Sequence, residues 1–340
     1  MKTKSTGKIL AFLLMVVILL LTAASCGDDS KETPDNNINN DNSSNNSGND
    51  QIDSQNSQES PDKPDTSINK DREGNSITLP QTINKIISMG PSNTEILEAL
   101  GLGDKIIAAD EYSNNVSGIK SDIPMFSMMN PDNEQIINLQ PDIIFVTGMT
   151  KAGGDDPFKL VSEAGICVIY IPSSLSIDGI KEDIKYIAAV IGAQSKGNQI
   201  ISDMEKEIDN IKKIADTISD KKLVYFEIAA APWMYSFGSG VFLNEMIELI
   251  GARNIFADLK EWVSIADEAV LEANPDVILT SVNYVENPID EIKSRSGWDV
   301  ITAVKNNDVY YIDTDLSNRP SQNIIKAMKE MAKAIYPDKY

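Results

Sequence analysis

The sequence predicts an α/β fold arranged as two similar lobes, and three observations carry that reading. Short β-branched runs alternate with amphipathic segments from about Ser76 onward, the pattern of parallel strands covered by helices. The alternation occurs twice along the chain, and a long amphipathic stretch separates the two occurrences.

In the first half, strands are expected at Lys85 to Met89, Lys105 to Ala109, Asp142 to Thr147 and Cys167 to Ile171, with helices beginning near Asn93 and Asn133. The second half repeats the theme with strands at Leu223 to Ile228, Val277 to Thr280 and Val309 to Ile312, and helices at Val241 to Ile250 and Ile324 to Ile335. Between the halves, Ile200, Met204, Ile208, Ile211, Ala215 and Ile218 recur at steps of three and four. They fall on one helical face, opposite Asp203, Glu207, Lys212, Lys213 and Asp216. Periodicity alone leaves open whether this helix spans both lobes or belongs to one.

The N-terminus follows a different logic. Lys2, Lys4 and Lys8 precede the apolar run Ile9 to Leu21, and Thr22-Ala-Ala-Ser25 supplies small residues before Cys26. That run is short for a bilayer span and reads as a secretory signal, with a retained membrane helix as the alternative. Ala-Ala-Ser-Cys26 resembles the lipobox at which bacterial lipoproteins are cleaved and diacylated, although Ala23 stands where leucine is usual. Cys26 is therefore the expected lipidation site, with plain signal cleavage as the competing reading.

Residues 27–75 are rich in Asn, Asp, Ser, Gln and Lys and nearly devoid of large apolar side chains, too few to offset the entropy of ordering. This segment reads as a tether, and a random coil of about 50 residues spans roughly 40 Å end to end. The expected organisation is thus a signal peptide over 1–25, a lipid-anchored linker over 26–75, lobes over 76–193 and 220–340, and a connecting helix over 194–219.

Composition removes several function classes. Loss of residues 1–25 takes away three lysines and moves the formal charge from −21 to −24, which disfavours a nucleic-acid partner. Histidine is absent, and with it the commonest general base and metal ligand, so neither a catalytic group nor a bound metal is expected. An α/β enzyme using carboxylates such as Asp110 and Glu111 is the rival reading. Against it, adjacent side chains usually diverge, and neither an activated nucleophile nor a phosphate-cradling glycine loop is present. Cys167 lies in an apolar run and reads as a small hydrophobe.

The segment Ile86-Ile-Ser-Met-Gly-Pro-Ser-Asn-Thr-Glu-Ile-Leu-Glu-Ala-Leu-Gly101, continuing through Lys105-Ile-Ile-Ala-Ala-Asp-Glu-Tyr-Ser113, resembles the opening of the periplasmic binding proteins that deliver cobalamin, ferric siderophores and haem. Asn130-Pro-Asp-Asn-Glu134 before Leu139-Gln-Pro-Asp142, Phe242-Leu-Asn-Glu245 leading into Gly251-Ala-Arg-Asn-Ile-Phe256, Asn274-Pro-Asp276, Trp298 and Arg319-Pro-Ser321 follow in collinear order. The resemblance spans residues 77–337 and is closest to the cobalamin-binding members. It implies two Rossmann-like lobes joined by a single long helix, a ligand cleft between them, and an ABC permease and its ATPase as partners. It also implies a monomer held extracytoplasmically at the outer face of the cytoplasmic membrane.

By the same resemblance Ser92, Asn93, Tyr112, Met128, Met129, Trp233, Tyr235, Trp262 and Arg319 are expected to face the cleft, with core packing as the alternative for each. Glu134 stands at the first lobe's permease-docking position. Arg253 occupies the place where cobalamin binders carry glutamate, so Glu245 or Glu248 is expected to substitute. Only four arginines exist, Arg72, Arg253, Arg295 and Arg319, few for an anionic siderophore. Without histidine, protein-ligated haem is left with tyrosine. The expected ligand order is corrinoid, then ferric siderophore, then haem, and no resident cofactor is expected.

Overall fold

Isoleucine and valine carry the strands, because branched side chains pack well on a pleated surface buried on both faces. The computed structural model describes residues 63–151 and 154–340. Its first lobe contains β1 (Ile86–Met89), α1 (Pro91–Ala99), β2 (Ile106–Asp110), β3 (Met125–Phe126), α2 (Asn133–Asn138), β4 (Ile143–Thr147), α3 (Lys159–Glu163), β5 (Cys167–Ile171) and α4 (Ile177–Ile191). The strands form one parallel sheet in the order β3-β2-β1-β4-β5.

Helix α5 (Gln194–Ala215) follows. The second lobe then runs β6 (Leu223–Glu227), β7 (Tyr235–Phe237), α6 (Phe242–Leu249), β8 (Arg253–Asn254), β9 (Trp262–Ser264), α7 (Asp267–Ala273) and β10 (Val277–Thr280). It ends with α8 (Pro288–Ser294), α9 (Thr302–Asn306), β11 (Val309–Tyr311), α10 (Thr314–Asn318) and α11 (Ile324–Ile335). Its main sheet is parallel in the order β11-β10-β6-β8, and β7 and β9 form a small antiparallel pair beside it.

A repeated motif explains why the lobes look alike. Gln140-Pro141-Asp142 and Asn274-Pro275-Asp276 each place a residue with positive φ before a proline, which terminates the preceding helix. The aspartate that follows then pins the start of a neighbouring strand. Asp142 Oδ2 accepts the Asn84 and Lys85 N–H groups at 2.7 and 2.9 Å, and Asp276 Oδ2 accepts that of Leu223 at 2.8 Å.

Helix α5 packs against α4 of the first lobe and against α6 and α11 of the second, which answers the question that periodicity left open. Met204 and Ile211 are buried in its seam, and Ile200, Ile201 and Ile208 lie partly buried beside them. Gly197 allows the close approach to α4, since a Cβ there would sit 2.5 Å from the Cβ of Ala188. The apolar cluster under α5 is continuous, taking in Ile96, Leu97 and Ile184 from one lobe and Leu243, Met246 and Met328 from the other.

Two features differ from the sequence reading. The tether was expected to reach residue 75, yet residues 63–76 are packed on the first lobe. Buried Asp71 accepts the N–H groups of Glu73 and Asn75 with one oxygen and the Tyr170 N–H of β5 with the other. Arg72 pairs with Asp183 at 2.8 Å. The strap covers the edge strand β5, whose unpaired groups would otherwise invite another strand. Hydrophobicity missed it because side-chain to main-chain hydrogen bonds hold most of it in place, with Ile68 its single large aliphatic contact with the core. Helix α4 was also missed, although Ser176 caps it and left-handed Gly192 ends it.

Asp110 closes β2 as a fully buried carboxyl, and burial pushes it up to about 6 against the opposing pull of hydrogen bonds from Ser113 and the Tyr112 N–H. The folded chain therefore holds this proton to higher pH than the unfolded chain, whose value is near 3.8. The stability that results is present below pH about 4 and lost as pH rises through about 6, by at most about 3 kcal/mol. Relative to Asp110→Asn, the wild type is expected to lose several degrees in Tm between pH 4 and 6.5 by calorimetry. A difference that stays flat over that range overturns the assignment.

Candidate ligand-binding cleft

A parallel sheet offers its ligand site where the connections diverge, at the C-terminal ends of two adjacent strands. In the first lobe those strands are β1 and β4, since the chain leaves β1 toward β2 and leaves β4 toward β5. Gly90 follows β1 at this point. A Cβ on it would lie 3.1 Å from Thr147 Cβ and 3.3 Å from Asn93 Nδ2. Asn93 is buried on α1, and its Nδ2 has no hydrogen-bond partner. Leaving an amide donor unpaired in such a place costs about 1 to 3 kcal/mol. Ser92 is half-buried beside it on the first turn of α1.

Tyr112 lies on the turn Glu111–Ser113 after β2, with its side chain 42% exposed and its N–H held by Asp110 Oδ1 at 2.9 Å. Ser113, Thr94 and Ser88 continue this polar chain inward through their hydroxyls. The neighbouring Glu111 is exposed while Asp110 is buried, so these two carboxylates do diverge.

In the second lobe the corresponding strands are β6 and β10, and Glu227 stands at the end of β6. Arg295 holds it with both nitrogens at 2.7 and 2.9 Å, reaches Glu291 at 2.6 Å, and lies over the Trp298 ring at 4.5 Å. This buried bidentate pair is internally satisfied and offers no cation to a ligand. Trp233, 66% exposed, sits on the turn after β6, just past the cis Ala231–Pro232 bond. Trp262 on β9 packs edge-on against Phe237 at 6.1 Å, and its Nε1 is covered without an acceptor.

The remaining expected site residues fall elsewhere. Met128 is 1% exposed, in a cluster with Phe126, Ile136 and Phe158, and Met129 leans on the same cluster. Tyr235 is buried on β7 in the main core. Tyr235 is turned inward by the pleat of its short strand, and Met128 and Met129 by the bends that follow β3, which composition could not reveal. Arg319 is also buried, and its guanidinium is bound to Glu95 at 2.9 Å and Asp315 at 2.7 Å rather than exposed to the cleft.

Among the docking candidates, Glu134 is exposed on the first turn of α2 and Glu248 is exposed on α6. Arg253 is exposed on β8. Glu245 differs, because its Oε2 accepts the Ile177 N–H at 2.8 Å across the lobe boundary, where it satisfies the free N-terminus of α4. Cys26, the expected lipidation site, lies outside the described residues.

Sequence reasoning did not single out Glu95, Asn115, Asp315 or the Arg295 cluster. Glu95 was within reach, since it closes the Pro-Ser-Asn-Thr-Glu segment and is a charged residue on the buried face of a helix.

Comparison with known proteins gives this geometry a context. The family described as periplasmic binding protein matches residues 86–316. The chain is 34% identical over 275 residues to the ABC transporter substrate-binding lipoprotein YvrC of Bacillus subtilis, covering 79% of this chain and 85% of that protein. It is 26% identical over 256 residues to the vitamin B12-binding protein of Vibrio cholerae, with 74% and 89% covered. A solved structure, a possible iron-binding periplasmic solute-binding protein from Staphylococcus epidermidis, superposes with a TM-score of 0.67 at 30% identity over 75% of this chain and 99% of that one. Two parallel-sheet lobes and a family match over most of the fold agree: the chain belongs to the periplasmic binding proteins and is an extracytoplasmic substrate-binding protein of an ABC importer, not an enzyme.

Proposed function

We propose that the ligand is a corrinoid, captured between the lobes and handed to a cognate permease. The observation that carries this reading is the state of the arginines: Arg72, Arg295 and Arg319 are each bound to carboxylates of the protein itself. Arg253 lies on the short strand β8 of the second lobe's main sheet. An anionic siderophore complex asks for free cationic forks, whereas a corrinoid has a rim of neutral amides and brings its own cobalt ligands.

The donors left open match that rim. Asn93 Nδ2 and Trp262 Nε1 are covered and unpaired, one in each lobe, and amide carbonyls are suitable acceptors for both. Tyr112 and Trp233 add exposed aromatic surface for an apolar macrocycle. The similarity to proteins named for vitamin B12 binding supports the same choice. A ferric ligand is the second reading, favoured by the relative described as possibly iron-binding.

In this reading Tyr112 and Trp262 form opposing walls of the cleft. An aromatic wall buries on the order of 100 Å² against a macrocycle, which at about 25 cal/mol per Å² gives roughly 2 kcal/mol before ordering costs. Trp262→Ala is expected to weaken cyanocobalamin binding at least tenfold by calorimetry while Tm falls little. A clear loss of Tm with affinity preserved assigns Trp262 to the core instead. Heat with a ferric siderophore panel and none with cyanocobalamin or cobinamide overturns the ligand.

Docking is proposed through Glu134, whose carboxylate would meet a permease arginine, with Glu248 as the exposed acid of the second lobe. Losing one partner of such a pair costs about 2 to 5 kcal/mol. Glu134→Ala should cut ligand uptake by membrane vesicles tenfold or more with solution affinity unchanged. Normal uptake by a normally expressed variant sinks the docking role.

The chain is further proposed to act as a monomer anchored through a lipid on Cys26. Cys26→Ala is expected to release the protein from the membrane fraction and to abolish labelling by a radioactive fatty acid. Undiminished labelling of that variant excludes Cys26 as the anchor.

A further inference from the structure

Glu95 and Arg319 lie 224 positions apart in sequence and on different lobes, yet they meet at 2.9 Å. Glu95 is 5% exposed and Arg319 8% exposed, so water screens the pair little. The remaining valences are also filled. Glu95 Oε2 accepts from Ser321 Oγ and from Asn323 Nδ2 at 2.9 Å, and its main-chain oxygen accepts from Gln322 Nε2 at 3.1 Å. Four side chains of the second lobe thus converge on one residue of α1.

The other side of the guanidinium faces the turn that carries Tyr112. Arg319 Nη2 donates to the Tyr112 carbonyl at 2.9 Å and to Asn115 Oδ1 at 3.0 Å, and it pairs with Asp315 at 2.7 Å. Asn115 Nδ2 in turn donates to Asp315. The Tyr112 peptide is therefore held at both ends, its N–H by Asp110 of its own lobe and its carbonyl by Arg319 of the other. Its ring alone is left facing outward.

We infer that Glu95 and Arg319 form a latch that fixes the separation of the lobes at this edge of the cleft and, through the Tyr112 carbonyl, positions the Tyr112 ring for ligand. Arg319 is a positioning residue here and touches no ligand. The planar fork is what the role requires, because one cation must serve Glu95, the Tyr112 carbonyl, Asn115 and Asp315 in different directions. A lysine has a single nitrogen and cannot reach them together. The part concerning Tyr112 rests on the corrinoid reading of the cleft, whereas the latch between lobes stands apart from it.

Amide hydrogen exchange of the full-length protein without ligand tests the latch directly. Arg319→Met and Glu95→Gln are expected to raise exchange at residues 110–116 and 319–325 tenfold or more, with rates in β10 within threefold of wild type. Arg319→Lys, which keeps the charge against Glu95, carries the same test without a buried unpaired carboxylate and should raise exchange at 110–116 more than at 319–325. Exchange unchanged at both segments, or raised equally in β10, overturns the latch.

Cyanocobalamin affinity then tests positioning. Arg319→Lys should weaken binding threefold or more, and Tyr112→Ala should add little on top of it, because both changes remove the same ring from its place. Full additivity, or no loss in Arg319→Lys, overturns the positioning role. Failure of the wild type itself to bind cyanocobalamin overturns the corrinoid reading and that positioning role with it, while the exchange result still decides the latch.

Discussion

One apolar seam holds the two lobes in register, and the cleft depends on it. Helix α5 lays Met204, Ile211 and their neighbours along a cluster that is continuous from Ile96 and Ile184 of one lobe to Met246 and Met328 of the other. Burying each such side chain contributes about 1.5 to 3 kcal/mol. A core shared in this way resists rotation of the lobes, because close-packed interiors do not deform gradually. Each of the two parallel sheets keeps its own switch point.

Polar contacts complete the seam. Glu245 reaches from α6 to the N-terminus of α4, and Arg319 reaches from the second lobe to Glu95 and the Tyr112 turn. Breaking the buried Arg319–Glu95 pair by removing one partner costs about 3 to 5 kcal/mol, far more than a surface ion pair contributes. The lobes are thus joined by a shared helix and by directional, charge-assisted bonds. Such a scaffold suits a protein that must hold a ligand without reacting with it. Preorganised walls lower the ordering cost of binding.

The distribution of charge inside the protein separates structure from recognition. Arg72, Arg295 and Arg319 all serve the fold, and each is neutralised by carboxylates of the chain. Elsewhere, Asn93 Nδ2 and Trp262 Nε1 are covered and unpaired, and Tyr112 and Trp233 expose aromatic surface.

Much of this was legible in the sequence. The alternation of β-branched runs with amphipathic segments fixed the α/β class, and Cys167–Ile171, Val277–Thr280 and Ile324–Ile335 fell where pattern placed them. These elements bury one whole face or both, so local periodicity records their environment. The strap over residues 63–76 was not legible, because hydrogen bonds to β5 and α4 hold it and polar sequence alone does not reveal a partner. The same limit governed the site. Sequence could name Met128, Tyr235 and Arg319 as apolar or cationic groups near the cleft, but not the direction in which each points. Only the tertiary structure decided that Met128 and Tyr235 enter the core and that Arg319 closes on a glutamate 224 positions away. Residue type and spacing determine which elements form, whereas the orientation of a side chain across a lobe boundary is set by contacts between segments that the sequence keeps far apart.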